Sequence, residues 1–202
     1  MARDGKPAPA PESSDDDDLM LRVQHGDMNA YQELVRRYQK KVFRVISSYH
    51  RNAEDAMEVL QDTFLKLYTS RLTWERRRSF SAWLYRIAIN ASIDRYRREG
   101  KDLTSSLDDV AESRLLKSGP APRTPLDRLR EEERRVLVQD AVLRLPLRQR
   151  EVLSLRFFGE MRLEEIAETL GCPLGTVKSN LHKAVRALQD LLETERENLG
   201  YE

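Results

Sequence analysis

The sequence has a single cysteine, no long hydrophobic run and no recognisable leader. Cys172 is the only cysteine among the 202 residues, which excludes an intrachain disulfide and a zinc site built from cysteines. No apolar run approaches the roughly 18 residues that a membrane-spanning helix requires, and no charged segment followed by an apolar core opens the chain. From these absences we expect a cytoplasmic protein without membrane insertion.

Strand patterns are missing too. No segment alternates apolar and polar residues between turn signals, whereas apolar residues recur three and four positions apart over most of the chain. This periodicity predicts an all-α protein with two small helical domains, residues 15–100 and 131–202. Residues 101–130, which contain Pro and Gly, are expected to form a flexible linker, and the Pro-rich residues 1–14 a disordered tail.

The helix predicted over residues 80–98 is the most informative stretch of the first domain. Its apolar residues form a wide core-packing stripe that includes Phe80 and Trp83. Residues 71–101 contain nine lysines and arginines against three acids, on a chain whose net charge is only +1, and this concentration is typical of phosphate binding. Exposed aromatic rings and Asn90 can stack on unpaired bases or hydrogen-bond to them. An ordinary core helix with a solvated basic face explains the stretch equally well.

A second amphipathic helix is predicted over residues 53–72. Its apolar side, which includes Met57 by its spacing, is expected to pack in the core. The opposite side is rich in carboxylates and suits a basic partner surface. The candidates on that side are Asp55, Glu58, Gln61, Asp62 and Leu65. A solvated acidic face is the simpler interpretation of these residues alone.

Residues 163–188 carry the sharpest local pattern in the chain. Ala167 is small where two helices would cross, Gly171 follows where the turn needs a left-handed residue, and Val177 packs back. This spacing predicts a helix-turn-helix, with the second helix suited to a DNA major groove. Its outward residues carry three positive charges and no acid: Lys178, Ser179, Asn180, His182, Lys183 and Arg186. An ordinary helical hairpin is the alternative, and His182 is expected to be a solvent-exposed residue rather than a metal ligand.

Three blocks of sequence follow one another in a characteristic order. They are Ala53-Glu54-Asp55-Ala56 through Gln61-Asp62-Thr63-Phe64, then Phe80-Ser81-Ala82-Trp83-Leu84-Tyr85-Arg86-Ile87-Ala88 with Asn90 and Asp94-Arg95, and finally Leu145-Pro146 through Gly175-Thr176-Val177-Lys178-Ser179. With these blocks the chain resembles the bacterial sigma factors of the extracytoplasmic-function (group IV) type. The resemblance covers nearly everything except the tail and the linker, and it implies a region 2 domain followed by a region 4 domain.

The resemblance implies roles for the candidate residues. In that family the helix matching residues 53–67 docks on the clamp helices of the largest polymerase subunit, which implies core-polymerase contacts for Asp55, Glu58, Gln61, Asp62 and Leu65; the flap of the second-largest subunit is a further implied partner. The loop 73–79 and the helix after it resemble the part that opens the −10 element and holds a flipped base. The implied −10 contacts are Trp74, Arg76, Arg77, Arg78, Phe80, Trp83, Arg86, Asn90, Arg97 and Arg98. The implied −35 contacts are Thr176, Lys178, Ser179, Asn180, His182, Lys183 and Arg186.

We therefore expect a non-enzymatic transcription initiation factor whose partners are core RNA polymerase and promoter DNA. The sequence offers no catalytic residue set, cofactor motif or metal cluster. Many relatives are silenced by an anti-sigma protein, and the sequence leaves open whether this chain has one. Two other hypotheses stand beside this one. The first is a self-sufficient helix-turn-helix regulator with an N-terminal helical sensor domain, which would leave the pattern of residues 80–98 unexplained. The second is a helical adaptor, in which the basic faces would have no function.

Overall fold

The computed structural model describes residues 15–77, 79–98 and 125–198. Within those residues the chain forms eight α-helices and no β-strand, as the periodicity predicts. The helices are α1 (Asp16–Gln24), α2 (Met28–Ser47), α3 (Ala53–Thr69), α4 (Phe80–Arg98), α5 (Pro125–Leu143), α6 (Leu147–Phe157), α7 (Leu163–Leu170) and α8 (Leu174–Asn198), with a short 3-10 helix at Arg71–Thr73. The predicted tail, residues 101–124 of the predicted linker, and Arg78 lie outside the described residues.

The first domain consists of α1 to α4. Gly26 closes α1 with φ 88°, a left-handed conformation that costs glycine little. The Asp27 carboxylate then accepts hydrogen bonds from the backbone N–H groups of Asn29 (2.9 Å) and Ala30 (3.1 Å) and starts α2. Helix α1 therefore ends and α2 begins on either side of Gly26-Asp27. Leu34, Leu67 and similar side chains pack between the helices with no exposed surface.

The second domain consists of α5 to α8. Helix α5 begins at Pro125, so residues 125–130, which we predicted as the end of the linker, are helical. Proline is well suited to the first turn of a helix, where its missing N–H is not needed; counting Pro125 as part of the flexible linker therefore placed the boundary too late. Gly171 has φ 62° between α7 and α8, which confirms the predicted left-handed turn of the helix-turn-helix.

The two domains pack directly against each other. Val152 and Leu155 of α6, Met161, and Ile166 of α7 belong to the same buried apolar cluster as the core of the first domain. A smaller cluster, which includes Val142 and Leu153, lies within the second domain alone. The sequence predicted two domains; the structure shows that they share one continuous core. No described helix is long and apolar enough to cross a bilayer.

Candidate nucleic-acid interface

Helix α1 fixes the start of α4. The Asp17 carboxylate accepts a hydrogen bond of 2.9 Å from the backbone N–H of Phe80, the first residue of α4. That N–H has no acceptor within its own helix, so the carboxylate satisfies it and also meets the positive end of the helix dipole. Partial burial raises the pKa of Asp17, and the Phe80 hydrogen bond opposes that rise.

The loop before α4 is held from the same side. The Gln24 amide donates to the backbone oxygens of Arg71 and Trp74, both at 2.8 Å. Two arginines of the loop remain largely exposed: Arg76 pairs with Asp18 at 2.8 Å, and Arg77 pairs with Glu75. Exposed ion pairs of this kind contribute at most about 1 kcal/mol, so a phosphate group can replace the acid at little cost.

Two aromatic residues predicted to contact DNA are buried instead. The side chains of Trp74 and Phe80 are 3% and 1% exposed, and Phe80 packs edge-on against Tyr38 with ring centroids 5.2 Å apart. The prediction that they present rings to unpaired bases is therefore wrong. Phe80 belongs to the apolar stripe of α4, and Trp74 lies under the loop that Gln24 holds. Trp83 is half-buried.

The polar residues predicted on α4 take two different positions. Asn90, Arg97 and Arg98 are exposed. Arg86 is engaged with the other domain: its guanidinium donates to the backbone oxygens of Glu168 (2.7 Å) and Thr169 (2.9 Å), in the last turn of α7. Beside this contact lies a cleft of about 280 Å³, with Asn90 on the α4 side and the Gly171 turn on the other.

Arg95 of α4 has a role that the sequence did not indicate. Its guanidinium bridges two carboxylates of α3, Asp55 at 2.8 Å and Glu58 at 2.6 Å. Both acids are among the predicted core-polymerase contacts. The acidic face of α3 is thus partly neutralised by the basic end of α4.

The accessible face of α3 contains an apolar row. Met57 and Leu65 are 40% and 62% exposed, and Gln61 lies between them at four-residue spacing on the same side of the helix. We predicted Met57 as a core residue, and this is wrong. The sequence spacing already indicated an exposed position, since Met57 is four residues before Gln61 and eight before Leu65 and therefore lies on the same side of the helix. Asp62 is also exposed.

The second helix of the helix-turn-helix presents its predicted face to solvent. Val177 and Ala184 have no exposed surface and orient α8 against its neighbours. The amide of Asn180 is half-buried and donates to the backbone oxygen of Thr176 at 2.9 Å. The exposed members of the predicted set are Thr176, Lys178, Ser179, His182, Lys183 and Arg186. The face has three permanent positive charges near the N-terminal part of α8, where the helix dipole also attracts phosphate.

Helix α6 contains two buried charged residues that the sequence did not indicate. Arg150 is fully buried and donates to the backbone oxygens of Leu143 and Leu145, the latter at 3.1 Å. Glu151 is also buried and accepts from Arg148 at 3.0 Å. Burial raises the pKa of Glu151 and lowers the pKa of Arg150. Arg150 thus holds the turn between α5 and α6, whereas the Glu151–Arg148 pair lies within α6. Nowhere in the described ranges do three or more potential metal ligands cluster.

Each domain matches one sigma-factor family. Residues 34–102 match the Sigma-70 region 2 family, and residues 135–188 match the Sigma-70, region 4 family. The chain is 30% identical over 177 residues to the ECF RNA polymerase sigma factor SigW of Bacillus subtilis, covering 85% of this chain and 93% of that protein. It is 34% identical over 178 residues to the ECF RNA polymerase sigma-E factor of Escherichia coli K12, covering 87% and 93%.

Two solved structures share the fold over most of their length. CnrH in complex with the cytosolic domain of CnrY superposes with a TM-score of 0.67 at 24% identity, covering 89% of this chain and 97% of that chain. The sigma factor RpoE in complex with the anti-sigma factor NepR from Bartonella quintana superposes with a TM-score of 0.62 at 23% identity, covering 82% and 98%. The match of the first domain to a sigma region favours the sigma-factor hypothesis over a self-sufficient regulator with a sensor domain.

Proposed function

This chain belongs to the ECF RNA polymerase sigma factors, DNA-binding proteins of transcription initiation, and we propose how its two domains divide that work. The proposal is carried by one observation: the chain has two basic surfaces, one on α4 with its preceding loop and one on α8, and each lies in a different sigma region. Two such surfaces suit two separate elements of one promoter. The first domain opens and holds the −10 element, and the second binds the −35 element as duplex.

The −10 surface consists of the loop arginines and the polar residues of α4. Asn90 offers an amide donor and acceptor to the edge of an unpaired base, and flipping that base costs a few kcal/mol that such contacts offset. The charged contributors are Arg76, Arg77, Arg86, Arg97 and Arg98, which suit the phosphates of the non-template strand. Trp83 adds a half-buried stacking surface. Trp74 and Phe80 are buried and belong to the core instead.

The −35 surface is the exposed face of α8. Lys178, Lys183 and Arg186 supply charge for backbone phosphates or guanine edges, and the short polar residues supply hydrogen bonds. The remaining contributors are Thr176, Ser179, Asn180 and His182. Because the face begins at a helix N-terminus, it binds phosphate through backbone N–H groups as well.

Core polymerase docks on the accessible face of α3. Leu65 and Met57 offer apolar area, Gln61 and Asp62 offer polar groups, and Asp55 and Glu58 add negative charge for a basic clamp surface. Region 4 contacts the flap of the second-largest subunit. The chain works in the cytoplasm, is not an enzyme and needs no cofactor.

An anti-sigma protein is a further proposed partner. The solved relative RpoE is bound to the anti-sigma factor NepR, and the present chain has the same fold. Co-purification of the tagged chain from its own cells, followed by identification of a stoichiometric inhibitor of transcription, tests this part of the proposal.

In-vitro transcription tests the main proposal. The purified chain, added to core polymerase on a library of promoter fragments, is expected to start RNA from a small subset that core polymerase alone ignores. The subset should share two sequence elements at a fixed spacing. If no fragment is transcribed, or if the free chain binds the duplex tightly and specifically without polymerase, the proposal is wrong.

A further inference from the structure

A cavity lies between α2 and α5, on a part of the molecule that the proposed promoter and polymerase surfaces do not include. Its volume is about 310 Å³. Phe43 and Ser47 line it from α2, and Val138 and Val142 line it from α5. Each of these pairs is four residues apart, which is the spacing of one helix face. Phe158, which follows α6, adds a second ring, so the cavity is walled mostly by regular helices.

The floor of the cavity is apolar. Phe43 and Val142 are buried, with 2% and 1% of their surfaces exposed, whereas Val138 and Phe158 are half-buried. Two aromatic rings and two branched aliphatic side chains therefore line the same space. A lining of this composition suits a ligand with a hydrocarbon part.

The polar residues of the lining are already bonded within the protein. The Ser47 hydroxyl donates to the backbone oxygen of Phe43 at 2.8 Å, and the Ser48 hydroxyl donates to that of Val45 at 2.6 Å. The Gln139 amide donates to the backbone oxygen of Ser47 at 3.2 Å. Because these donors are engaged, the part of a ligand that lies beside them gains little from being polar.

Two arginines of the lining have no such partner. Arg44 is half-buried and Arg134 is exposed, and among the residues that the structure describes neither guanidinium pairs with a carboxylate. The nearby Glu160 is paired with Lys41 at 2.6 Å. Its pKa is lowered first by that hydrogen bond and to a smaller extent by the charge of Arg44. Two unpaired guanidinium groups beside an apolar cavity complement an anion, and a carboxylate matches their planar geometry.

The volume limits the occupant to one small molecule. An apolar cavity of about 150 Å³ holds one benzene ring, so about 310 Å³ has room for roughly ten to twelve carbon atoms. Ligand pockets measure roughly 300–1,000 Å³, and this one lies at the small end of that range. A helix of a partner protein needs a longer apolar groove, and a membrane lipid with two long acyl chains exceeds the volume.

We propose that this cavity binds a small amphipathic carboxylate with a single hydrocarbon chain of about ten carbon atoms. The chain lies against Phe43 and Val138, and the carboxylate accepts hydrogen bonds from the guanidinium groups of Arg44 and Arg134. This site goes beyond the proposed function, because it adds a small-molecule ligand to a protein whose other partners are macromolecules. Binding is measured without DNA or polymerase, so the result does not depend on whether the proposed function is correct.

Calorimetry with decanoate tests the proposal. Titration of the full chain with sodium decanoate, below the concentration at which it forms micelles, should show one site with a Kd below about 100 µM. Decyltrimethylammonium has the same hydrocarbon chain with the opposite charge and should bind at least about tenfold more weakly. In methyl NMR spectra of the wild-type chain, decanoate should shift the signals of Val138 and Val142. Val136, which is 41% exposed on α5 and does not line the cavity, should not shift.

Two substitutions with matched controls locate the ligand. Val138→Trp fills the cavity and should weaken decanoate binding about tenfold or more, whereas Val136→Trp adds the same ring outside the cavity and should have no effect. Arg44→Gln removes one guanidinium and should weaken binding about fivefold. Lys40→Gln removes a positive charge from an exposed position of the same helix and should leave the Kd unchanged.

Each contrary result overturns the proposal. Absence of binding heat and of methyl shifts would mean that the cavity takes no carboxylate of this size. Equal binding of decanoate and decyltrimethylammonium, or several equivalent sites, would mean that decanoate acts only as a detergent. An unchanged Kd in a Val138→Trp chain with normal helical circular dichroism would place the ligand elsewhere. If Val138→Trp does not fold, the methyl shifts of the wild-type chain decide the location.

Discussion

The Tyr85 hydroxyl donates a hydrogen bond of 3.2 Å to the backbone oxygen of Gly159, across the boundary between α4 and the second domain. Burial raises the pKa of Tyr85 well above its ordinary value, so the phenol remains a donor throughout the neutral range. Position 159 leaves no room for a side chain. A Cβ on Gly159 would lie 2.7 Å from the Leu155 backbone oxygen and 3.3 Å from the Tyr85 ring.

Gly159→Ala is therefore expected to destabilise the protein. Overpacking of this kind costs about 1–3 kcal/mol, and part of the strain falls on the Tyr85 contact. Urea unfolding followed by circular dichroism measures the loss. Gly175→Ala is the matched control, because no atom lies within 4 Å of its added Cβ, and it should lose no stability. Equal stabilities of the two variants would mean that the end of α6 relaxes around the methyl group.

Glu151 makes stability depend on pH. Its pKa is raised by burial in the folded protein, so the folded state binds this proton more tightly than the unfolded state. The stabilising contribution is complete below the unfolded pKa of about 4.3 and is lost as the pH rises through the higher folded pKa. Glu151→Gln removes the titrating group, so its melting temperature relative to wild type should be lowest near pH 4 and should increase toward pH 7. A difference that stays constant between those pH values would contradict this assignment.

Apolar area on α3 should contribute to polymerase binding. Truncation of both Met57 and Leu65 to Ala removes exposed side chains, so folding should be unaffected. Burial of one such side chain contributes ~1.5–3 kcal/mol, so the Kd of the double variant for core polymerase should rise about tenfold or more. A fluorescence binding titration measures the change. Leu72→Ala is the control, since Leu72 is 72% exposed outside α3. A double variant that binds as tightly as wild type would exclude this face.

A substitution at Asn90 should slow promoter opening, whereas a substitution at Trp74 should not. Asn90→Ala removes an exposed amide and should slow opening about tenfold, the equivalent of one hydrogen bond, with little effect on initial binding. Trp74→Phe keeps a buried ring and should open promoters at the wild-type rate. Permanganate footprinting over time distinguishes the two variants. Equal rates for Asn90→Ala and wild type would remove Asn90 from the −10 surface.

The Lys178→Ala variant should show whether Lys178 contacts a base edge or a phosphate. If it contacts a base edge, Lys178→Ala weakens binding to the preferred sequence by roughly 1–3 kcal/mol. If it contacts a phosphate, all sequences lose affinity alike and the salt dependence becomes shallower by about one charge. Promoter binding by the polymerase complex is measured across a salt titration. The control is Lys66→Ala, because Lys66 is an exposed lysine on α3. If Lys178→Ala binds the promoter with wild-type affinity, Lys178 lies outside the interface.

Local features of the fold were predictable because they are encoded locally. The cap at Asp27, the left-handed Gly171 and the exposed face of α8 each depend on a few neighbouring residues, and the structure contains all three. The start of α5 was misplaced because proline can either begin a helix or end one.

Long-range packing was not predictable from the same patterns. Ser48 and Ser154 are separated by 106 residues, and neither serine has a sequence context that suggests a partner. The burial of Trp74 and the engagement of Arg86 likewise depend on what another helix brings to them. Helical periodicity describes only neighbouring residues, so it does not reveal side chains that are buried or bonded by a distant part of the chain.

Gln24 holds the backbone at Arg71 and Trp74 in place, and Asp17 in the same helix fixes the first turn of α4. Both side chains come from α1, which lies ahead of the part of the chain that matches the region 2 family at residue 34. The conformation of the basic loop thus depends on α1, which contributes none of the positive charges of the loop. Exchanging α1 between relatives would reshape that loop while leaving every one of its own residues unaltered.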